Sequence, residues 1–269
     1  MKNYDYNVIL ETMMKASRAA GELMRNSSPK ERLNTRDVDD MVTMIDLEAD
    51  QIIRKTLLSD FPDKEILSEE MSKGDFVITP HDLENFSGFI VDSIDGSVNF
   101  SRMITKKYGN FAVSIAYAEN GKIMVGVVYK PLEDEMFHAI RGKGAFQDDK
   151  LIHVSEIDNI NKASIELGSF WIREETETFL KWFKKKETDV AQILIRGSAA
   201  AGLCDVARGR VEAMLHTRLN AWDYAAGWLI VEEAGGIVMD KDGTPLKLGS
   251  RFVYATNRKL NKDILSIVT

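Results

Sequence analysis

The chain has 269 residues, 44% of them hydrophobic, which is enough apolar material for one large domain or two tightly joined halves. Its formal net charge of −7 argues against general nucleic-acid affinity, because such affinity rests on neutralising phosphates with lysine and arginine. No apolar run reaches the length of a membrane span, the N-terminus lacks a signal-peptide core, and the single cysteine, Cys204, excludes an internal disulfide and fits a reducing cytoplasm.

From about Tyr6 to Arg25 the apolar residues recur at helical spacing (Ile9, Met13, Ala16, Ala20, Leu23, Met24), and Asn26-Ser-Ser-Pro29 stops the pattern. Lys30 to Asp40 is almost entirely polar and reads as a surface loop. A second helix is expected from about Asp46, turning Ile52, Ile53 and Leu57 inward until Phe61-Pro62 ends it. Ile66-Leu67 reads as a short strand leading to Ser68-Glu69-Glu70, and Phe89-Ile90-Val91 as a buried strand running into Asp92 and Asp95. Strands follow over Phe111–Tyr117, Ile123–Tyr129 and Met136–Arg141, with Asn120-Gly121 as the hairpin turn between the first two. The second half alternates: helix over Arg173–Lys185, strand over Val190–Ile195, helix over Ser198–Ala207, strand over Val211–Leu215. A helix over Tyr224–Ala234 closed by Gly235-Gly236 and strands Ile237–Met239 and Phe252–Ala255 complete it. Helices mixed with antiparallel strands over about 1–150 (an α+β half), then α/β alternation over about 151–269, imply layered helices and sheets in a single domain.

The stretch Gly88-Phe-Ile-Val-Asp-Ser-Ile-Asp-Gly-Ser-Val-Asn-Phe100 is the most informative. Packing does not ask for two carboxylates at the end of a buried strand, whereas hard cations such as Mg²⁺ do, because they bind carboxylate and carbonyl oxygens. Gly96 and Ser97 stand where a helix can begin, so their N–H groups can face an anion. Other acids stand at element ends: Asp46, Glu69, Glu70 and Asp223. Each has a plain structural alternative, Asp46 and Asp223 as helix caps and one of the glutamates as a solvated loop charge. Two unit charges about 4 Å apart interact by roughly 4 kcal/mol at an effective dielectric near 20, so a convergent set of acids calls for a cation. Cys204 sits in an apolar helix and reads as a small core residue rather than a nucleophile.

Three blocks carry a family resemblance: Asp40-Met-Val-Thr-Met-Ile-Asp46 with Ser68-Glu-Glu70, Asp92 to Phe100, and Trp222-Asp-Tyr-Ala-Ala-Gly-Trp-Leu-Ile-Val-Glu-Glu-Ala-Gly-Gly236. With Gly126-Val-Val-Tyr129 and Arg141-Gly-Lys-Gly-Ala-Phe146, they resemble the inositol monophosphatase family of Mg²⁺-dependent, lithium-sensitive phosphatases, in the right order over most of the chain. The resemblance implies a layered αβαβα sandwich of the inositol monophosphatase/fructose-1,6-bisphosphatase type, a homodimer, and a small phosphorylated substrate. It implies that Glu69, Asp92 and the Ile94 carbonyl hold one Mg²⁺, that Asp92, Asp95 and Asp223 hold a second, and that a third leans on Glu69. Asp46 and Ser97 would orient the attacking water; Asp95, Gly96 and Ser97 would meet the phosphate; Ser198, Ala199, His216 and Arg218 would contact the rest of the substrate.

This chain departs from the family pattern at Ser93, where proline is usual between the metal aspartates, and at Ser97, where threonine is usual. His216 replaces a glutamate that meets sugar hydroxyls in inositol-phosphate-cleaving members, and a neutral imidazole offers one donor and one acceptor where a carboxylate only accepts. Arg218 suits a second anionic group, or is an ordinary surface charge. Thr35 stands where relatives carry a lysine near the metal-bound water, with Arg36 adjacent. Phe170 and Trp171 are candidate dimer-contact or core residues. The expected activity is hydrolysis of inositol 1-phosphate. The alternatives are 3′-phosphoadenosine 5′-phosphate, fructose 1,6-bisphosphate, histidinol phosphate or a nicotinamide dinucleotide 2′-phosphate on the same fold, or a regulatory protein that keeps the scaffold.

Overall fold

Helical spacing of apolar residues builds the first layer in the computed structural model, which describes residues 4–27, 44–72, 80–101, 109–168 and 190–269 with Glu177, Leu180, Lys181 and Lys184. Helix α1 (Tyr6–Asn26) begins at Asp5, whose carboxylate caps the Asn7 N–H at 2.9 Å, and buries Ile9, Met13, Ala16, Ala20 and Met24 along one stripe. Helix α2 (Met44–Asp60) buries Ile45, Ala49, Ile53 and Leu57 at intervals of four residues, while Ile52 is only partly covered.

Both helices lie on one face of a seven-stranded sheet formed by β1 (Glu65–Ser68), β2 (Gly88–Asp95), β3 (Ala112–Glu119), β4 (Lys122–Lys130), β5 (Glu135–Ile140), β6 (Ala145–Gln147) and β7 (Lys150–Leu151), paired in that order. Only β1 and β2 run parallel, consistent with the long connection between them, which carries the short α3 (Pro80–Leu83); the rest is antiparallel meander. Asn120 and Gly121 both take positive φ (49° and 71°), giving the tight turn expected between β3 and β4.

Strand alternation sends Phe89 and Val91 toward α1 and α2, and Ile90 to the other face, where α5 (Ala199–Ala207) and α6 (Ala221–Glu233) form a middle layer. Beneath them lies a five-stranded sheet in the order β11-β12-β10-β8-β9, made of β8 (Ser164–Leu167), β9 (Gln192–Ile195), β10 (Ala213–Thr217), β11 (Ile237–Met239) and β12 (Phe252–Thr256). Its outer face carries Ile165, Leu215 and Tyr254 against α7 (Asn261–Val268). The result is the αβαβα sandwich. Gly126 sets the spacing between β4 and α6, since a Cβ there would lie 2.7 Å from the Ala226 carbonyl oxygen.

Several boundaries differ from the sequence reading. Helix α6 starts at Ala221, three residues before Tyr224, because Asn220 and Asp223 bracket its first turn. The β10 strand is shifted to Ala213–Thr217, and β9 begins at Gln192. Strands β6, β7 and β8 and helix α7 were not expected. Residues 28–43, with the Lys30–Asp40 loop, Thr35 and Arg36, lie outside the described residues, as do Phe170 and Trp171. Within the expected Arg173–Lys185 helix, the four described residues are helical. Among the described residues, no helix is long and apolar enough to cross a membrane.

Candidate active site

Strand β2 enters the site through the fully covered run Phe89–Val91 and places Asp92 and Asp95 in the interior, 2% and 8% exposed. Its pairing with β3 shifts register between these two residues, so the strand bends where the acids stand. The Ile94 N–H donates back to Asp92 Oδ1 at 3.0 Å, fixing that carboxylate. Because Ser68 on β1 is in register with Val91, the next residue, Glu69, extends the ladder (its N–H reaches the Val91 carbonyl at 3.1 Å) and stands beside Asp92. Glu70 lies beyond it in a turn.

The fourth acid comes from the middle layer. Asp223 is the third residue of α6, and its Oδ2 accepts the Asn220 N–H at 2.6 Å, so it is indeed part of a helix cap. It is more than a cap, because carboxylate oxygens of Glu69, Asp92 and Asp223 lie within 4.8 Å of one another. Ser114 on β3, the cross-strand partner of Asp92, donates to the Trp222 carbonyl at 2.9 Å and ties the start of α6 to the sheet.

The gathered carboxylates repel one another. Burial, then Glu69, Asp95, Asp223 and Asp46 in turn, push the Asp92 carboxyl well above its usual range. Burial followed by Glu69 and Asp95 does the same to Asp223, with the Asn220 N–H and Arg251 opposing. Asp95 is raised less, to about 6, because burial is offset by donors: the Ser198 hydroxyl at 2.5 Å, the Ala200 N–H at 2.7 Å, and the N–H groups of Ala199 and Ala201. These donors are the N-cap and first turn of α5, so a nine-residue helix points its N-terminus at the carboxylate. Buried, mutually repelling, all-oxygen donors suit a hard divalent cation, and the residues present fit one.

Asp46 is buried and stands in the first turn of α2, not at the N-cap; its carbonyl accepts the Ser93 hydroxyl at 3.1 Å. Thus Ser93, between the two acids of β2, ties that strand to α2. Gly96 (φ 91°) and Ser97 lead into the short helix α4 (Ser97–Ser101), and a Cβ on Gly96 would meet the Asn110 carbonyl oxygen at 2.8 Å and the Ser198 Cβ at 3.2 Å. His216 is half-buried on β10 with Nδ1 3.0 Å from the Thr217 carbonyl, so Nδ1 carries the proton; its ring lies against Gly168, where a Cβ would approach within 2.7 Å. Arg218 follows with φ 57° and is exposed. Two buried polar atoms in the chain neighbours of these acids, Ser68 Oγ and Trp222 Nε1, have no hydrogen-bond partner among the described residues.

Sequence reasoning did not anticipate that Ser198 is bound to Asp95, nor that Asn99 and Asn110 both donate to the Arg196 carbonyl, at 2.7 and 3.3 Å. The Gly197-Ser198 pair before an alanine run was the only local signal, and it marks a helix start without naming the carboxylate it caps. Cys204 behaves as read: it is fully buried, and burial lifts its thiol far above the usual range.

Two packed sheets around a helix pair, with acids from both halves meeting at one edge, define the class as a layered-sandwich phosphatase. The chain belongs to the inositol monophosphatase family, whose profile matches residues 5–269. It is 34% identical over 231 residues to the fructose-1,6-bisphosphatase/inositol-1-monophosphatase of Thermotoga maritima (85% of this chain, 82% of that one). It is 33% identical to Nus factor SuhB of Pasteurella multocida, covering 97% and 95% of the two chains. Among solved structures, the extragenic suppressor protein suhB from Bartonella henselae superposes with a TM-score of 0.85 at 31% identity, covering 97% of this chain and 98% of the other. The chain is accordingly a phosphoric monoester hydrolase of a metal-dependent family.

Proposed function

We propose that this protein is a Mg²⁺-dependent phosphomonoesterase acting on a small polyol or sugar phosphate, with inositol 1-phosphate as the first substrate to test. The observation that carries the reading is the meeting of Glu69, Asp92 and Asp223 within 4.8 Å, next to Asp95 and the Gly96-Ser97 turn. Glu69, Asp92 and the Ile94 carbonyl would hold one ion, Asp92, Asp95 and Asp223 a second, and Glu69 would help a third. Bound there, such ions supply a water of lowered pKa and stabilise the departing alkoxide. The remaining work falls to the chain. Asp46 and Ser97 orient the attacking water, and Asp46 takes its proton. The N–H groups of Gly96 and Ser97 face the phosphate oxygens. Ser198, Ala199, His216 and Arg218 line the path of the alcohol. In the neutral form, with Nδ1 protonated against the Thr217 carbonyl, His216 would carry its acceptor on Nε2, the role that the usual glutamate fills toward a sugar hydroxyl.

Phosphate release from inositol 1-phosphate, fructose 1,6-bisphosphate, 3′-phosphoadenosine 5′-phosphate, histidinol phosphate and NADP, each with and without Mg²⁺, tests this. Turnover that needs Mg²⁺ and is fastest, by kcat/KM, on inositol 1-phosphate is the expected result. A dominant preference for a substrate with a second anionic group would transfer the reading to one of the alternatives and assign Arg218 to that group. We further infer a single domain, since one apolar cluster includes residues of both sheets, and a homodimer in the cytoplasm.

A second reading has its own support in the relatives named Nus factor SuhB: a regulatory role on the same scaffold. Purified protein that turns over none of these esters in Mg²⁺ yet retains a stable protein or RNA partner through purification would favour it.

A further inference from the structure

The loop between β9 and α5 is held by more charge than a connection of its length needs. Arg196 directs its guanidinium at two carboxylates that are almost wholly buried: Glu166 on β8, contacted by Nη2 and by Nε at 3.2 Å, and Asp205 on α5, contacted by Nη1 at 2.6 Å. On the other side, its backbone carbonyl accepts Asn99 Nδ2 from α4 and Asn110 Nδ2 from the approach to β3. The next two residues, Gly197 and Ser198, lie directly over Gly96, and the Ser198 hydroxyl and Ala200 N–H then grip Asp95 Oδ2. Arg196 therefore joins the lower sheet and the middle layer to α4, which follows the acid-bearing strand, and the loop it opens reaches Asp95 two residues on through Ser198.

We propose that Arg196 is a positioning residue for the reaction: by bridging Glu166 and Asp205 it fixes the 196–198 loop so that the first turn of α5 orients Asp95 for a divalent cation. Buried ion pairs contribute little net stability, because desolvation offsets their attraction, so stability alone is a poor account of this one. Direction is a better account. A guanidinium is a planar fork that can hold two carboxylates at a set angle, whereas a lysine ammonium is a single point of charge. Groups that orient a metal ligand change cation affinity by about 10–100-fold when removed.

This inference rests on the metal reading above, and the experiment separates the two. Mg²⁺ binding to metal-stripped protein is measured by calorimetry, with thermal unfolding alongside, for wild type, Arg196→Met, Arg196→Lys and Arg210→Met. Arg210 is the control because it holds the other oxygen of Asp205 at 3.0 Å, and Glu135, instead of the loop. We expect both Arg196 variants to bind Mg²⁺ about 10–100-fold more weakly, and Arg210→Met to stay within about twofold of wild type although it too unfolds at lower temperature. If Arg196→Met does not fold, Arg196→Lys decides, since it keeps the charge and loses only the fork. Wild-type affinity in a folded Arg196 variant, or an equal loss in Arg210→Met, overturns the proposal. Absence of Mg²⁺ binding by the wild type overturns the metal reading and this inference with it.

Discussion

The outer and middle layers of this protein are packed by different means. Between α1, α2 and the large sheet the core is made of bulky side chains, Phe61, Phe89, Tyr117 and Tyr129 among them, with the Phe89 ring 5.1 Å from that of Tyr117. Between the two sheets the helices are lined with Ala199, Ala200, Ala201, Gly202, Ala225, Ala226 and Gly227, and backbone approaches backbone. Bulky cores accommodate a lost methyl group by shifting a rotamer; a backbone contact leaves nothing to shift. The acids follow this division. Asp92 and Asp95 arrive on a strand and Glu69 just past the end of one, whereas Asp223 and the donors to Asp95 arrive on the first turns of α6 and α5, so the site forms only where the tightly spaced layer docks correctly.

The largest expected effect is chemical. Asp95→Asn keeps the shape and removes a charge, and phosphatase activity in Mg²⁺ should fall by more than roughly 100-fold, beyond the range seen for outer partners of a ligand. Full activity in that variant, measured by phosphate release, would remove Asp95 from the ligand set.

Next comes pH. The folded-state carboxyls of Asp92, Asp223 and Asp95 (about 6) lie above their unfolded values. The folded state therefore binds more protons, and this contribution to stability is present at low pH and lost as pH rises through the folded values. Each unit of upward shift is worth about 1.4 kcal/mol. Glu166, raised to about 7 by burial against the opposing Arg196, acts with the same sign. Metal-stripped protein should thus lose thermal stability as pH rises from about 4 through about 7, and saturating Mg²⁺ should flatten the part of the slope that belongs to the site. A slope unchanged by Mg²⁺ would mean that the acids and the ion do not meet.

The packing contrast is sharpened by a pair of variants. Gly126→Ala forces a Cβ against the Ala226 carbonyl oxygen; it should cost about 1–3 kcal/mol in denaturant unfolding and weaken Mg²⁺ binding as α6 moves. Ile53→Val under the outer layer should cost about 0.5–1.5 kcal/mol and leave Mg²⁺ binding unchanged. Equal effects on Mg²⁺ binding would erase the distinction. The smallest effect is Ser93→Ala, which removes the buried bond to the Asp46 carbonyl and should cost about 1 kcal/mol in the same assay.

The acid-bearing strand was legible because its signal is local: a covered apolar run delivers two carboxylates within four residues. Asp223 was legible as an acid and as a helix cap, but the helix start at Ala221 was not, since Ala221 and Trp222 extend no apolar period and nothing marked Asn220 as the partner of the cap. Strand β8 was lost because Glu166 interrupts Ser164–Leu167 with a charge whose partner, Arg196, lies 30 residues away in sequence. The short β6–β7 hairpin and α7 have too few residues for either period to declare itself. The bonds of Ser198 to Asp95 and of Ser93 to Asp46 join elements far apart along the chain, and nothing in local spacing encodes them.

Crystals soaked in Mn²⁺, examined for anomalous scattering, address the claim on which the account depends. It predicts strong peaks among the oxygens of Glu69, Asp92, Asp95 and Asp223, lost in Asp92→Asn crystals. Ordered carboxylates with no peak between them at saturating Mn²⁺ would contradict it.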